Sequence, residues 1–233
     1  MTIIMTVVVP DGIVVAGESR AITADSLTSI ESFSQKEHFI PYEVHSDNSN
    51  KIYKIGNFGL AYSGPCFDMD GWSIRQDIAE LERAFSKNTI EEVAAGFVQK
   101  LTKALPAKTG YGFQLSGYNN EGLPKTFNYD DGQFKQSPGY YQGRMRYGLM
   151  MNGETTLINK LFDGEKILFH AMSLRDAIEF AELSITVGYR YLQFFKEYQP
   201  VSNGPVDILV ITPNTSRFVK HKALSLLGKE SIS

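Results

Sequence analysis

Apolar and polar positions divide the first sixty-odd residues into strand-like stretches. Thr2–Val9 is rich in Thr, Ile and Val, Pro10-Asp11-Gly12 interrupts it with turn chemistry, and Ile13–Ala16 resumes it. That pattern predicts a β-hairpin. Folding back sets the start of the first strand beside the end of the second, so Thr2 is expected close to Glu18-Ser19-Arg20. Asn50–Ile55 alternates as a further strand that opens with Lys51, and Phe58–Ser63 reads as the next, broken by Gly64-Pro65. Helical spacing then runs from Asp68 to Phe85 through Trp72, Ile74, Ile78 and Leu81. A second helix begins at Asn88-Thr89-Ile90-Glu91-Glu92, with Asn88 or Thr89 as cap and acids in the first turn. It carries Val93, Phe97, Val98 and Leu101 before Pro106.

Strand signals return at Tyr111–Tyr118 and Thr126–Tyr129, separated by the turn Asn119–Gly122, and again at Tyr147–Met151. A short helix is predicted near Leu157–Leu161, a long one from Ser173 to about Phe195, and a late buried strand at Val206–Thr212. Ala21–Asn50 stands apart. It is polar with few periodic apolar positions, so residues 22–50 read as a long surface loop or small hairpin inserted between strands.

Length and charge narrow the class. The 233 residues suit one domain, residues 1–233, with room for a substantial core. A formal net charge of −3 offers no basic surplus for nucleic acid. The single Cys66 rules out an intramolecular disulfide framework and fits a reducing cytosol. Pro10-Asp11-Gly12 ends the first apolar run too early for a signal sequence or membrane span, so a cytoplasmic protein is expected. His38, His45, His170 and His221 show no metal-ligand spacing, and no metal or other cofactor is expected.

The chemistry begins at Thr2. A threonine freed as an N-terminus carries a hydroxyl nucleophile and an amine base on one residue. The α-amine has a reference pKa of about 7.7–8.0, close to neutral working pH. Only Met1 need be removed. Thr6 is a rival, because Thr6-Val7-Val8-Val9 would also open a strand, but its use would shorten that strand by four residues.

Taken in order, Thr2, the run Asp11–Arg20, Lys51-Ile52-Tyr53-Lys54-Ile55, Ala61-Tyr62-Ser63-Gly64 with Asp68, and Gly204–Thr212 resemble the proteasome family. That family comprises proteasome β subunits and the bacterial heat-shock-locus V peptidase, within the N-terminal nucleophile hydrolases. The resemblance spans the chain from Thr2 to about Thr212. It implies an α+β fold, the four-layer αββα sandwich, and a threonine-type peptidase.

It also implies roles. Thr2 would be the nucleophile, and Lys51 the active-site lysine that stabilises developing negative charge. Lys54 is the alternative lysine, on the other face of the strand. Glu18 stands where the family most often has aspartate and would pair with Lys51, with Arg20 in support. Gly64 matches an oxyanion donor, although a turn glycine before Pro65 explains the same sequence. Ser202 fits a supporting serine, whereas Gln199 and Asn152 replace an aspartate and a serine and carry only hydrogen-bonding capacity. The implied partners are further copies of the chain in a closed ring and a peptide or unfolded-protein substrate. An ATPase unfoldase stays open as a further partner, with neither nucleic acid nor membrane. Two other classes remain: an amidase or acyl transferase acting on a small amide, and a non-catalytic ring subunit.

Overall fold

In the computed structural model the described residues are 2–24, 42–64, 74–85, 89–104, 111–130, 132–135, 137–163, 165–192 and 203–222. Cys66, Asp68, Trp72, Gln199, Ser202 and much of the 22–50 insertion lie outside them.

The predicted hairpin is β1 (Ile3–Val9) and β2 (Gly12–Gly17), antiparallel with Ile4 opposite Gly17 and Val9 opposite Gly12. Every residue of both strands is buried, which is why they read as continuous apolar runs and not as alternation. β12 (Gly148–Gly153) flanks β1, while β13 (Asp207–Thr212) and β14 (Thr215–Lys220) follow β2, giving the order β12-β1-β2-β13-β14. A second five-stranded sheet runs β5 (Ile52–Ile55), β6 (Phe58–Ser63), β7 (Gly112–Tyr118), β8 (Pro124–Asp130) and β9 (Gln133–Lys135). Strand pairs are antiparallel in both sheets.

The described residues hold four α-helices: α1 (Ile74–Phe85), α2 (Ile90–Ala104), α3 (Thr156–Phe162) and α4 (Leu174–Leu192). Apolar stripes on α1 and α2 bury Ile78, Leu81, Val93, Phe97 and Leu101 against Leu60, Tyr62, Phe113 and Leu115 of the second sheet. Phe97 meets Phe113 edge to face with centroids 4.8 Å apart. Ile158 of α3 and Ala177, Ala181 and Ile185 of α4 cover Ile3, Met5, Val7, Val14 and Ala16 of the first sheet. A third core joins strands alone: Ile4, Val8, Ile13, Val15 and Leu209 of the first sheet with Ile52 and Ala61 of the second. The architecture is mixed α+β with several antiparallel sheets.

Helix starts follow local chemistry. Thr89 and Glu92 bond each other's backbone N–H, and Ser173 and Asp176 do the same before α4. The polar insertion closes as a small hairpin at its ends, where β3 (Ala21–Ala24) pairs with β4 (Tyr42–Ser46). Four strands were given no range from sequence: β9, the ribbon of β10 (Gly139–Tyr141) with β11 (Arg144–Arg146), and β14. The first three have three residues each, too few for alternation to show, and β14 is mostly exposed and carries little apolar pattern.

Candidate active site

Thr2 sits just ahead of β1 and is 3 % exposed. Its carbonyl accepts a hydrogen bond from the Glu154 N–H at 2.9 Å. Gly153 makes that approach possible. It has φ of +90°, and a Cβ there would fall 1.6 Å from the Thr2 carbonyl oxygen.

Lys51 immediately precedes β5 and is 3 % exposed, whereas Lys54 within the strand is exposed. The Lys51 ammonium donates to Thr2 Oγ1 at 2.6 Å. The Lys51 carbonyl accepts from Tyr62 N–H at 2.9 Å, so β6 fixes its backbone. Thr6, the rival nucleophile, is fully buried in a strand paired on both sides.

Glu18 follows β2 and is fully buried. Its N–H donates to the Ile3 carbonyl at 3.2 Å, an extension of the hairpin ladder. Oε1 accepts from Ile3 N–H at 3.2 Å, and Oε2 accepts from Arg20 N–H at 2.7 Å and Asn203 N–H at 3.2 Å. Burial pushes the carboxyl above its ordinary value of 4.5, opposed by the Lys51 charge and by the Arg20 and Asn203 amides. The direct Glu18–Lys51 salt bridge expected from sequence is not formed among the described residues. The carboxylate is held by backbone amides, the ammonium goes to Thr2, and the two groups act on each other through their fields. The physical reason is competition, since three fixed N–H donors already occupy the carboxylate of a longer acidic side chain.

Arg20 supports Glu18 with its backbone N–H. Its guanidinium grips Asp47 with Nε to Oδ1 at 2.6 Å and Nη2 to Oδ2 at 3.1 Å, tying the residue before β3 to the residue after β4. Asn152 is 4 % exposed on β12, opposite Ile4. Its side-chain oxygen accepts from Gln114 Nε2 at 2.5 Å, so the acceptor expected to serve the N-terminal amine is committed to the second sheet. Gly64 follows β6, and a Cβ there would meet Tyr111 Cβ at 2.7 Å and the Tyr62 hydroxyl at 2.8 Å. Packing alone therefore demands glycine at this position. Gln199 and Ser202 lie outside the described residues.

Sequence reasoning missed Gly153, Asn203 and the buried pair Lys222–Asp207. Gly153 carried a signal in its residue type, but nothing local shows that β12 crosses Thr2. Asn203 acts through its backbone, which no side-chain motif records. Among the described residues no group of three His, Cys, Asp or Glu is placed to hold a metal ion. No described helix is long and apolar enough to cross a membrane. No protein-family model matches the chain, and a search of curated proteins finds no match.

Proposed function

We propose that the chain is a threonine-type endopeptidase of the proteasome family, hydrolysing peptide bonds from an N-terminal Thr2. The observation that carries this reading is the buried 2.6 Å hydrogen bond from Lys51 to Thr2 Oγ1, with Glu18 held beside the first residue of β1. On this reading the two five-stranded sheets and their helices form the four-layer αββα sandwich of the N-terminal nucleophile hydrolases. Once Met1 is removed, the Thr2 amine takes the hydroxyl proton as Oγ1 attacks the carbonyl of the scissile amide. Lys51 stabilises the negative charge that develops on oxygen. The tetrahedral intermediate expels the amine, which leaves with the proton held by the N-terminus. Water then hydrolyses the Thr2 ester by the same base. Glu18 orients the first strand through Ile3.

A chamber formed by a homo-oligomeric ring would restrict this chemistry to unfolded or delivered chains. Leu161 on α3 and Leu183 and Tyr191 on α4, respectively 48 %, 63 % and 40 % exposed, supply apolar surface for contacts between copies. One observation favours a second reading, an amidase or acyl transferase on a small amide. Thr2 keeps little exposure, and the Arg20–Asp47 contact fastens the β3–β4 hairpin beside the site.

Intact mass of the purified protein tests the first requirement, with a chain beginning at Thr2 expected. Retention of Met1 on essentially all chains would end the enzyme reading. Thr2→Ala and Lys51→Ala are each expected to abolish hydrolysis of a fluorogenic peptide amide with the circular dichroism spectrum unchanged. Combining them should cost little more than either alone, because the two act as a unit.

A further inference from the structure

We propose that Lys222 is a positioning residue of the Thr2 site, its ammonium group fastening the segment that carries Glu18 to the segment that carries Lys51. The proposal rests on the reading of Thr2 as nucleophile. Lys222 follows β14 and is 7 % exposed, an unusual environment for a lysine. Its Nζ donates to Ser19 Oγ at 3.0 Å and to the Ser49 carbonyl. Ser19 is the neighbour of Glu18, and Ser49 lies two residues before Lys51. Ser49 N–H donates to the Ser19 carbonyl at 2.8 Å, so the ammonium completes a closed link between the two segments.

The lysine is itself held. Asp207 Oδ2 lies 2.9 Å from Nζ as an ion-pair contact. Asp207 Oδ1 accepts from Lys222 N–H at 2.7 Å and meets His221 Nδ1 at 3.0 Å. Burial lowers the proton affinity of Lys222, while Asp207 raises it most strongly among the opposing groups. Lys51 and Glu18 also act on it, lowering and raising it respectively, which places all three in one electrostatic cluster. A lysine beside a serine hydroxyl can serve as a nucleophile–base pair, but not here. Ser19 is fully buried and donates its own proton to the Pro205 carbonyl at 2.7 Å. The pair therefore holds the backbone and does not attack substrate.

The test uses the full chain with Lys222→Met, Lys222→Arg and the double variant Lys222→Met/Asp207→Asn. It reads peptide-amide hydrolysis and amide hydrogen exchange together. Lys222→Met takes the buried ammonium away from Asp207 and is expected to destabilise the fold, whereas Asp207→Asn removes the carboxylate charge and restores the melting temperature. In the double variant kcat should still fall, by up to about 100-fold for a displacement near 1 Å, with KM little changed. Exchange at the Ser49 amide should rise about tenfold or more while the β1–β2 amides stay protected. Lys222→Arg should recover part of both. Recovery of full kcat and Ser49 protection in the double variant would overturn the proposal, leaving Lys222 as a mere counter-charge. If the wild-type protein hydrolyses no amide, the reading of Thr2 fails by itself. The exchange measurement then decides separately whether Lys222 joins the two segments. Should Lys222→Met not fold, the double variant carries both readouts.

Discussion

At Glu18, burial pulls one carboxyl one way while the Lys51 charge and the backbone hydrogen bonds pull it the other, and burial wins. The folded protein therefore holds that proton more tightly than the unfolded chain does. Below the unfolded value of 4.5 both states are protonated at this site and its contribution to stability is fully present. As pH rises from there towards the higher folded value, the unfolded chain loses its proton first and stability falls. Glu18→Gln is expected to remove this part of the slope, whatever constant effect it has through the three amides. Urea unfolding of both proteins between about pH 4 and 7 checks it. A difference that does not change with pH would mean that burial is not what governs this carboxyl. The same exchange is expected to slow peptide hydrolysis, because the amide nitrogen of glutamine cannot accept from the N–H groups that the carboxyl oxygens hold.

Among the elements, β12 decides whether Thr2 has a place to sit. The positive φ of Gly153 and the 1.6 Å approach to the Thr2 carbonyl leave no room for a methyl group. Gly153→Ala should cost about 1–3 kcal/mol from backbone conformation alone. Its effect on hydrolysis should be larger than this loss implies, because relief must come from moving β12 or Thr2. Urea unfolding and peptide cleavage on the same preparation separate the two effects. At the start of α4, Ser173 and Asp176 satisfy N–H groups that the helix cannot. Ser173→Ala should lower stability by about 1 kcal/mol and leave hydrolysis unchanged, since α4 acts by covering the first sheet. A thermal melt paired with a rate measurement checks this.

For the whole molecule, the two sheets share one core and each has a helix-covered core on its far side. Thr2 from the first sheet and Lys51 from the second meet where the sheets meet. A change that shifts one sheet against the other should therefore reach the site without touching it. The exposed apolar residues of α3 and α4 belong to a larger assembly on the proposed reading, and mass photometry at micromolar concentration should find a closed ring. A stable monomer would move the balance to the small-amide hydrolase.

Several features were legible along the chain because they are local. Val7-Val8-Val9 and Ile13-Val14-Val15 around Pro10-Asp11-Gly12 specify a hairpin by propensity and turn chemistry, and the hairpin alone sets Thr2 beside Glu18. That Lys51 and Lys54 lie on opposite faces follows from the two-residue period of a strand, while which of them is buried does not. Helix starts at Thr89 and Ser173 were legible for the same reason. The tertiary structure decided what depends on residues distant in sequence. Asn203 and Arg20 reach Glu18 through backbone N–H groups, which every residue except proline possesses and no motif marks. Gln114 claims Asn152 from across the gap between sheets, and Lys222 comes from the end of the last described strand to meet Ser19. Propensity and period act over a few residues, whereas the partner of a buried charge is set by which strands the fold stacks together.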